Sequence, residues 1–270
     1  MDIHIQILSD LHLESPKAYD LYEIPPEAPY LALLGDIGNV VAHKDEILAF
    51  LTRHLRQFKA ILFVPGNHEA YHSSWEETVA VLSAFEEQLG RDSSLGRFAV
   101  LDRGTFRPPG SDTVILGCSL FSHVPQESQM AVEMGLSDFF HIRDWTVVDH
   151  NDAHRRDLAW LNGEVAKLED DHDTTKIVIL THWSPCRLPG AVDPKHMRSP
   201  ITSGFSTNLV NERCYSSVKV KLWAFGHTHY NCDIETERDG GAGMLRLLAN
   251  QRGYYFAQAD GFDVGKTIRL

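Results

Sequence analysis

The chain has 270 residues, 43% hydrophobic and 23% charged, which is enough apolar material for a sizeable core and argues against long disorder. A formal net charge of −12 argues against a long nucleic acid or an anionic membrane as partner, but leaves room for a small phosphorylated substrate held through metal ions. Four cysteines without a C-x-x-C pair, no visible signal peptide and no apolar run near the ~20 residues of a membrane span point to a cytoplasmic protein with reduced thiols.

The first strand is expected over Ile3 to Leu8 and runs into Asp10-Leu11-His12. Residues 16–29 carry four prolines and read as loop. Tyr30 to Leu34 is a continuous apolar run, a strand buried on both faces, ending at Gly35-Asp36. His43 to Phe58 has the helical spacing Ile47, Leu48, Leu51, Leu55, Phe58. Ala60 to Val64 is the third strand, cut off by Pro65 and followed by Gly66-Asn67-His68-Glu69. Trp75 to Leu89 is helical again, with Trp75, Val79, Leu82 and Phe85 on one face. This order of elements predicts an α/β fold with a largely parallel sheet.

Further on, Thr113 to Cys118 reads as a strand and His150 to Leu168 as a long helix. Lys176 to Leu180 is a strand delivering Thr181-His182, and Lys221 to Phe225 one delivering Gly226-His227-Thr228-His229. From Asn231 onward, short strands broken by Gly240-Gly241, Gly243 and Gly253 suggest a β-meander. With no repeat, low-complexity segment or linker, residues 1–270 read as one domain. Its irregular stretches, at about 120–149 and 183–219, are candidate lids or substrate loops.

Five strand ends thus carry two aspartates, one asparagine and five histidines. Any one of these motifs alone reads as a capped turn or a satisfied core histidine. Together they are the oxygen and nitrogen donors that a two-metal hydrolytic site requires, placed where open α/β sheets bind substrate. If the chain stays extended past each strand, Asp10 and His12 point to one side, and so do His227 and His229.

The set D-x-H, GD, GNHE, a later histidine and GHxH resembles the calcineurin-like metallophosphoesterase superfamily, over Asp10 to His229. The resemblance implies a four-layer αββα sandwich of two mixed β-sheets flanked by helices. It implies Asp10, His12 and His229 as ligands of one metal ion, and Asn67, His182 and His227 as ligands of a second. Asp36 is the implied bridge, and His68 the implied catalytic histidine that binds no metal. The two ions would be manganese, iron, zinc or cobalt, all suited to a mixed N/O set, with manganese favoured. Two divalent ions, two carboxylates and a bridging hydroxide leave a site of about +1, which attracts a phosphoester inside an acidic protein. The implied enzyme is a binuclear phosphodiesterase or phosphomonoesterase acting on small or nucleotide substrates. In it the bridging hydroxide attacks phosphorus in line and His68 protonates the leaving alkoxide.

Two alternatives are weaker. Serine/threonine phosphoprotein phosphatases of this superfamily continue as GDxxDRG and GNHE-x-R, whereas this chain has Asn39, Val40, Val41 and Tyr71 at the four differing positions. Asn39 cannot supply the negative charge that would keep His68 protonated. A non-catalytic scaffold of the same fold would have lost His68 or several ligands, and all eight residues are present. Arg143 reads either as a phosphate clamp or as the ion-pair partner of Asp138 or Asp144. Arg187, Lys195 and Arg198 read as substrate contacts or, more commonly, solvated charges. His123 and His196, lying in the irregular stretches, are the other histidines best placed to meet substrate.

Overall fold

A computed structural model of the chain describes residues 2–238 and 243–270, so the expected break at Gly240-Gly241 lies outside the described residues. One sheet has the order β13-β1-β2-β3-β4. Strands β1 (His4–Leu8), β2 (Tyr30–Leu34), β3 (Ala60–Val64) and β4 (Arg97–Val100) run parallel, and β13 (Thr267–Arg269) lies antiparallel on β1. The second sheet contains β5 (Gly104–Phe106), β6 (Thr113–Cys118), β7 (Lys176–Thr181), β8 (Val220–Phe225), β9 (Cys232–Glu237) and β10 (Met244–Ala249), in the order β5-β6-β7-β8-β10-β9. Its four central strands are parallel and its two edges antiparallel.

The two-residue alternation of side chains explains how the sheets stack. Ala32 and Leu34 of β2 join Ile5, Ile7, Leu62 and Val64 against Val178, Leu180, Leu222 and Ala224 in a core between the sheets. Leu31 and Leu33 point the other way, onto Phe50 and Leu51 of α1 (Lys44–Leu55) and Leu82 and Phe85 of α2 (Trp75–Leu89). On the far side, Leu116, Ile179 and Trp223 pack on Leu161 and Val165 of α5 (Val147–Asp170). The result is the expected αββα sandwich.

Several boundaries differ from the sequence reading. Helix α5 starts at Val147 and not His150, because Thr146 and Asp149 form a reciprocal capping box. The stretch 120–149 contains α3 (Gln129–Gly135) and α4 (Asp138–His141), and 183–219 contains α6 (Arg213–Ser216), so neither is wholly irregular. The C-terminal region is not a simple meander. Leu245, Leu247 and Leu248 are fully buried, which suits a central strand, and β10 inserts between β8 and β9. Strand β9, with its alternating exposure, becomes the edge.

Among the described residues no helix is long and apolar enough to cross a membrane. All four cysteines are free, with Cys118, Cys186 and Cys214 buried. Denatured, freshly purified protein is therefore expected to titrate four thiols with a disulfide reagent. A count of two would mean a native disulfide and overturn the reduced-thiol reading.

Candidate metal centre

The candidate residues gather at the carboxyl ends of β1, β2, β3, β7 and β8, five strands from two sheets that open to the same edge. The chain does not stay extended there, which corrects the geometry expected for Asp10 and His12. Asp10, His12, Asp36, His227 and His229 all adopt left-handed backbone conformations, with φ of 54°, 47°, 55°, 68° and 49°. Each such turn costs of order 1–3 kcal/mol and persists only where its surroundings enforce it. Here neighbouring turns brace one another: Asp10 N–H donates to Gly35 O (3.0 Å), His12 N–H to Asp36 O (2.9 Å) and Gly226 N–H to His182 O (2.8 Å). Glu69 completes the brace, its buried carboxylate accepting from the backbone N–H of Gly66 (2.6 Å), Ile37 (2.8 Å) and Asp36 (2.9 Å).

Glycine is required at two of these turns. Gly35 has φ +85°, and a Cβ there would lie 2.5 Å from His182 Nδ1; a Cβ on Gly66 would overlap Asp36 Oδ1.

Two donor groups result. Asp10, His12 and His229 form one, and Asp36, His182 and His227 another, with the ligand-type atoms of each group within 4.8 Å of one another. Asp36 reaches both sides: Oδ1 is 3.4 Å from His182 Nε2 and Oδ2 is 4.0 Å from His12 Nε2. Asn67 Oδ1 lies 2.9 Å from His182 Nε2, which puts the asparagine with the second group. A third set of His12, Asp36 and His68 also meets this spacing, so proximity alone does not separate His68 from the ligands.

The donor chemistry fits metal ions. His182 Nδ1 lies 2.7 Å from the carbonyl of Leu34, which can only accept, so Nδ1 carries a proton and the ring, once its second proton is displaced, would offer its Nε2 lone pair inward. His12 is held likewise by Glu14 Oε1, 3.1 Å from Nδ1. The Nε2 atoms of His12 and His229 then face each other at 3.0 Å, and His227 Nε2 is buried with no hydrogen-bond partner. Burial disfavours charge on His182, yet Asp36 and Asp10 still draw a proton onto it, up to about 10. That surplus of negative charge is what a divalent cation neutralises.

His68 has the counterion that Asn39 could not provide. Glu14 Oε1 is 2.8 Å from its Nδ1, while Asn39 instead donates to the His68 backbone carbonyl (2.8 Å). Burial opposes both charges, but the bonds from His12 and His68 hold Glu14 down at about 2, and Asp36 with Glu14 pushes His68 up to about 9. Tyr254 covers the other side: its hydroxyl is 3.3 Å from His68 Nε2, and its ring stacks on His12. Asp138 Oδ1 accepts from Asn67 Nδ2 (2.7 Å) and from the Tyr71 hydroxyl (2.7 Å), which fixes the asparagine amide with Oδ1 toward His182. Glu14 and Tyr254 were not singled out from sequence, and Asp138 only as a partner for Arg143. Only Glu14 left a trace there, in the alternation Asp10-x-His12-x-Glu14.

The remaining candidates fall away from the centre. Arg143 pairs with Glu77 at 2.6 Å, and not with Asp138 or Asp144. Arg187 donates to Ser206 O (2.7 Å) and is exposed, as are Lys195 and Arg198. His196 lines the adjoining pocket, whereas His123 packs against His154.

The sequence profile of the calcineurin-like phosphoesterases matches residues 3–231, which contain all eight candidate residues. The chain belongs to that family. It is 23% identical over 247 residues to an uncharacterized protein of Acanthamoeba polyphaga mimivirus, covering 84% of each chain. Its fold is similar to the crystal structure of phosphopantetheinyl hydrolase from Mycobacterium tuberculosis. The TM-score is 0.65 at 18% identity, covering 94% of this chain and 90% of that one. As a calcineurin-like phosphoesterase with clustered His and Asp donors, this protein is a metal-dependent enzyme that hydrolyses phosphoesters.

Proposed function

We propose that the enzyme is a binuclear phosphodiesterase or phosphomonoesterase for small or nucleotide substrates, working in the cytoplasm. Asp10, His12 and His229 would hold one ion, and Asn67, His182 and His227 the other. Asp36 joins them. The observation that carries this reading is the division of the Asp36 carboxylate, with one oxygen toward His182 and the other toward His12. Bound there, two divalent ions would lower the pKa of water toward ~7 and offset charge on the phosphoryl oxygens.

The chain's own residues do the rest. Glu69 and the paired turns fix the donors before substrate arrives, so little reorganisation is left for the reaction. Glu14 keeps the His68 ring oriented and charged, with Nε2 directed away from Glu14 toward Tyr254. From there an imidazolium delivers its proton to the departing alkoxide. The absent phosphatase arginines and the pairing of Arg143 with Glu77 disfavour a phosphoprotein substrate.

Purified protein saturated with manganese is expected to contain two ions and to hydrolyse bis-p-nitrophenyl phosphate, p-nitrophenyl phosphate or a cyclic nucleotide. Chelation should abolish the activity and manganese restore it. Full metal content without turnover on any of these would sink the proposal.

A further inference from the structure

Beside the two donor groups lies a cavity of about 380 Å³, at the small end of the range for small-molecule pockets. Asp36, His68 and His229 form its floor, and the two segments after β6 and β7 form much of its wall. We infer that this pocket takes the alcohol part of a phosphoester bearing a single phosphate and no other anionic group, and rejects substrates with a second one. The inference rests on the phosphoesterase reading above and narrows its substrate class.

Three observations carry it. The wall is largely apolar: Leu136, Val192, Ile201, Phe205 and Tyr254. Among the described residues that line it there is no lysine or arginine. On the two wall segments, Arg143 pairs with Glu77 and Arg187 donates to Ser206, while Lys195 and Arg198, next to the lining residues His196 and Ser199, are exposed and do not line the cavity. Besides Asp36 on the floor, two carboxylates line the wall, Asp138 and Asp193. Asp138 is buried, and its Oδ2 has no hydrogen-bond partner. An anion placed against the wall, away from His68 and the floor, would therefore leave water, meet no lysine or arginine and approach two acids.

The metal ions draw the reacting phosphate to the floor, but that attraction is shared by all substrates and selects none. Selection falls to the alcohol. Neutral apolar groups gain from the wall, and a cationic group is tolerated by Asp138 and Asp193. A second anion loses both its hydration and any compensation, and a like charge a few ångström away in partly screened surroundings lowers binding by about tenfold or more.

A matched series tests this with the full-length, manganese-saturated protein. The substrates are phenyl, 4-(aminomethyl)phenyl and 4-carboxyphenyl phosphates, as monoesters and as methyl diesters, at a pH where free imidazole is neutral. In parallel, calorimetry compares phenylphosphonate with 4-carboxyphenylphosphonate, which bind without turnover. The neutral and ammonium esters should agree within about threefold in kcat/KM. The carboxylated ester should fall at least about tenfold, mainly through KM, and the phosphonates should show the same ratio. Asp193→Lys, at a half-exposed position, should narrow the gap. Equal or better use of the carboxylated ligands in both assays overturns the inference, as does a lack of binding by either phosphonate. If no ester of any charge is hydrolysed, the phosphoesterase reading fails. The phosphonate ratio still decides the charge preference of the pocket.

Discussion

Replacing His68 by alanine is expected to leave two metal ions bound while turnover on substrates with alkoxide leaving groups drops by about 10²–10⁴. His68 sits one residue beyond Asn67 and meets the distance criteria for a ligand with His12 and Asp36, so the variant is a direct test. Its Nδ1 is tied to Glu14 and its Nε2 lies 3.9 Å from Asp36 Oδ2. A proton donor at that position matters when the leaving group is basic and hardly at all for p-nitrophenolate, so the loss should shrink on nitrophenyl esters. Glu14→Gln should give a milder version of the same pattern. Burial and Asp36 act on His68 in both proteins, but the variant lacks the Glu14 charge that raises its pKa. The acid form is then lost at lower pH, and the alkaline limb of the rate profile should move down. Loss of one metal in His68→Ala, or an equal loss on both kinds of substrate, would remove the proton-donor role.

The clustering of the candidate donors was legible in the sequence because each lies just past a strand end. Strand β2 is a five-residue apolar run that breaks at Gly35, and the donor follows at once. What the sequence hid was tertiary. Asp138 reaches Asn67 across 71 positions, and Tyr254 reaches His68 across 186. Nothing in their neighbours marks them, since a carboxylate on a one-turn helix and a tyrosine in a short hairpin are ordinary surface features. The strand ends were misjudged for a different reason. Period-2 reasoning assumes extended backbone, whereas Asp and His tolerate the left-handed region better than most residues, and five of the donors use it. The side chains converge through paired sharp turns, not through pleating. Strands β4 and β5 are four and three residues long, too short to carry a periodic signal.

Those turns also explain why the donors hold one another in place. Strained backbone is stable only when over-determined, and here the determination comes from Glu69, from the turn-to-turn hydrogen bonds and from glycines that let Asp36 and His182 close in. The same closeness concentrates negative charge. Burial should push the Asp36 carboxyl up, yet His182 and His68 hold it well below its ordinary value. Four imidazoles and two aspartates arranged this way are a poor core for a structural protein and a good cradle for cations.

The heaviest loss should come from Asp36→Asn. The amide is nearly isosteric and keeps the oxygen that accepts the His68 backbone N–H (2.9 Å), so the fold should survive, with an unchanged circular dichroism spectrum. What disappears is a charge that faces both donor groups at once. Metal content should fall at both sites, and kcat/KM should drop by about 10²–10⁴, the several kcal/mol that paired ions supply at 1.36 kcal/mol per decade. Asp10→Asn is the control. Asp10 lies 3.2 Å from His229 Nε2 and belongs to one group only, so its loss should empty mainly one site. Elemental analysis of both variants after manganese saturation and gel filtration separates the cases. If Asp36→Asn loses no more metal than Asp10→Asn, the carboxylate does not join the two sites, and the binuclear reading loses its central support.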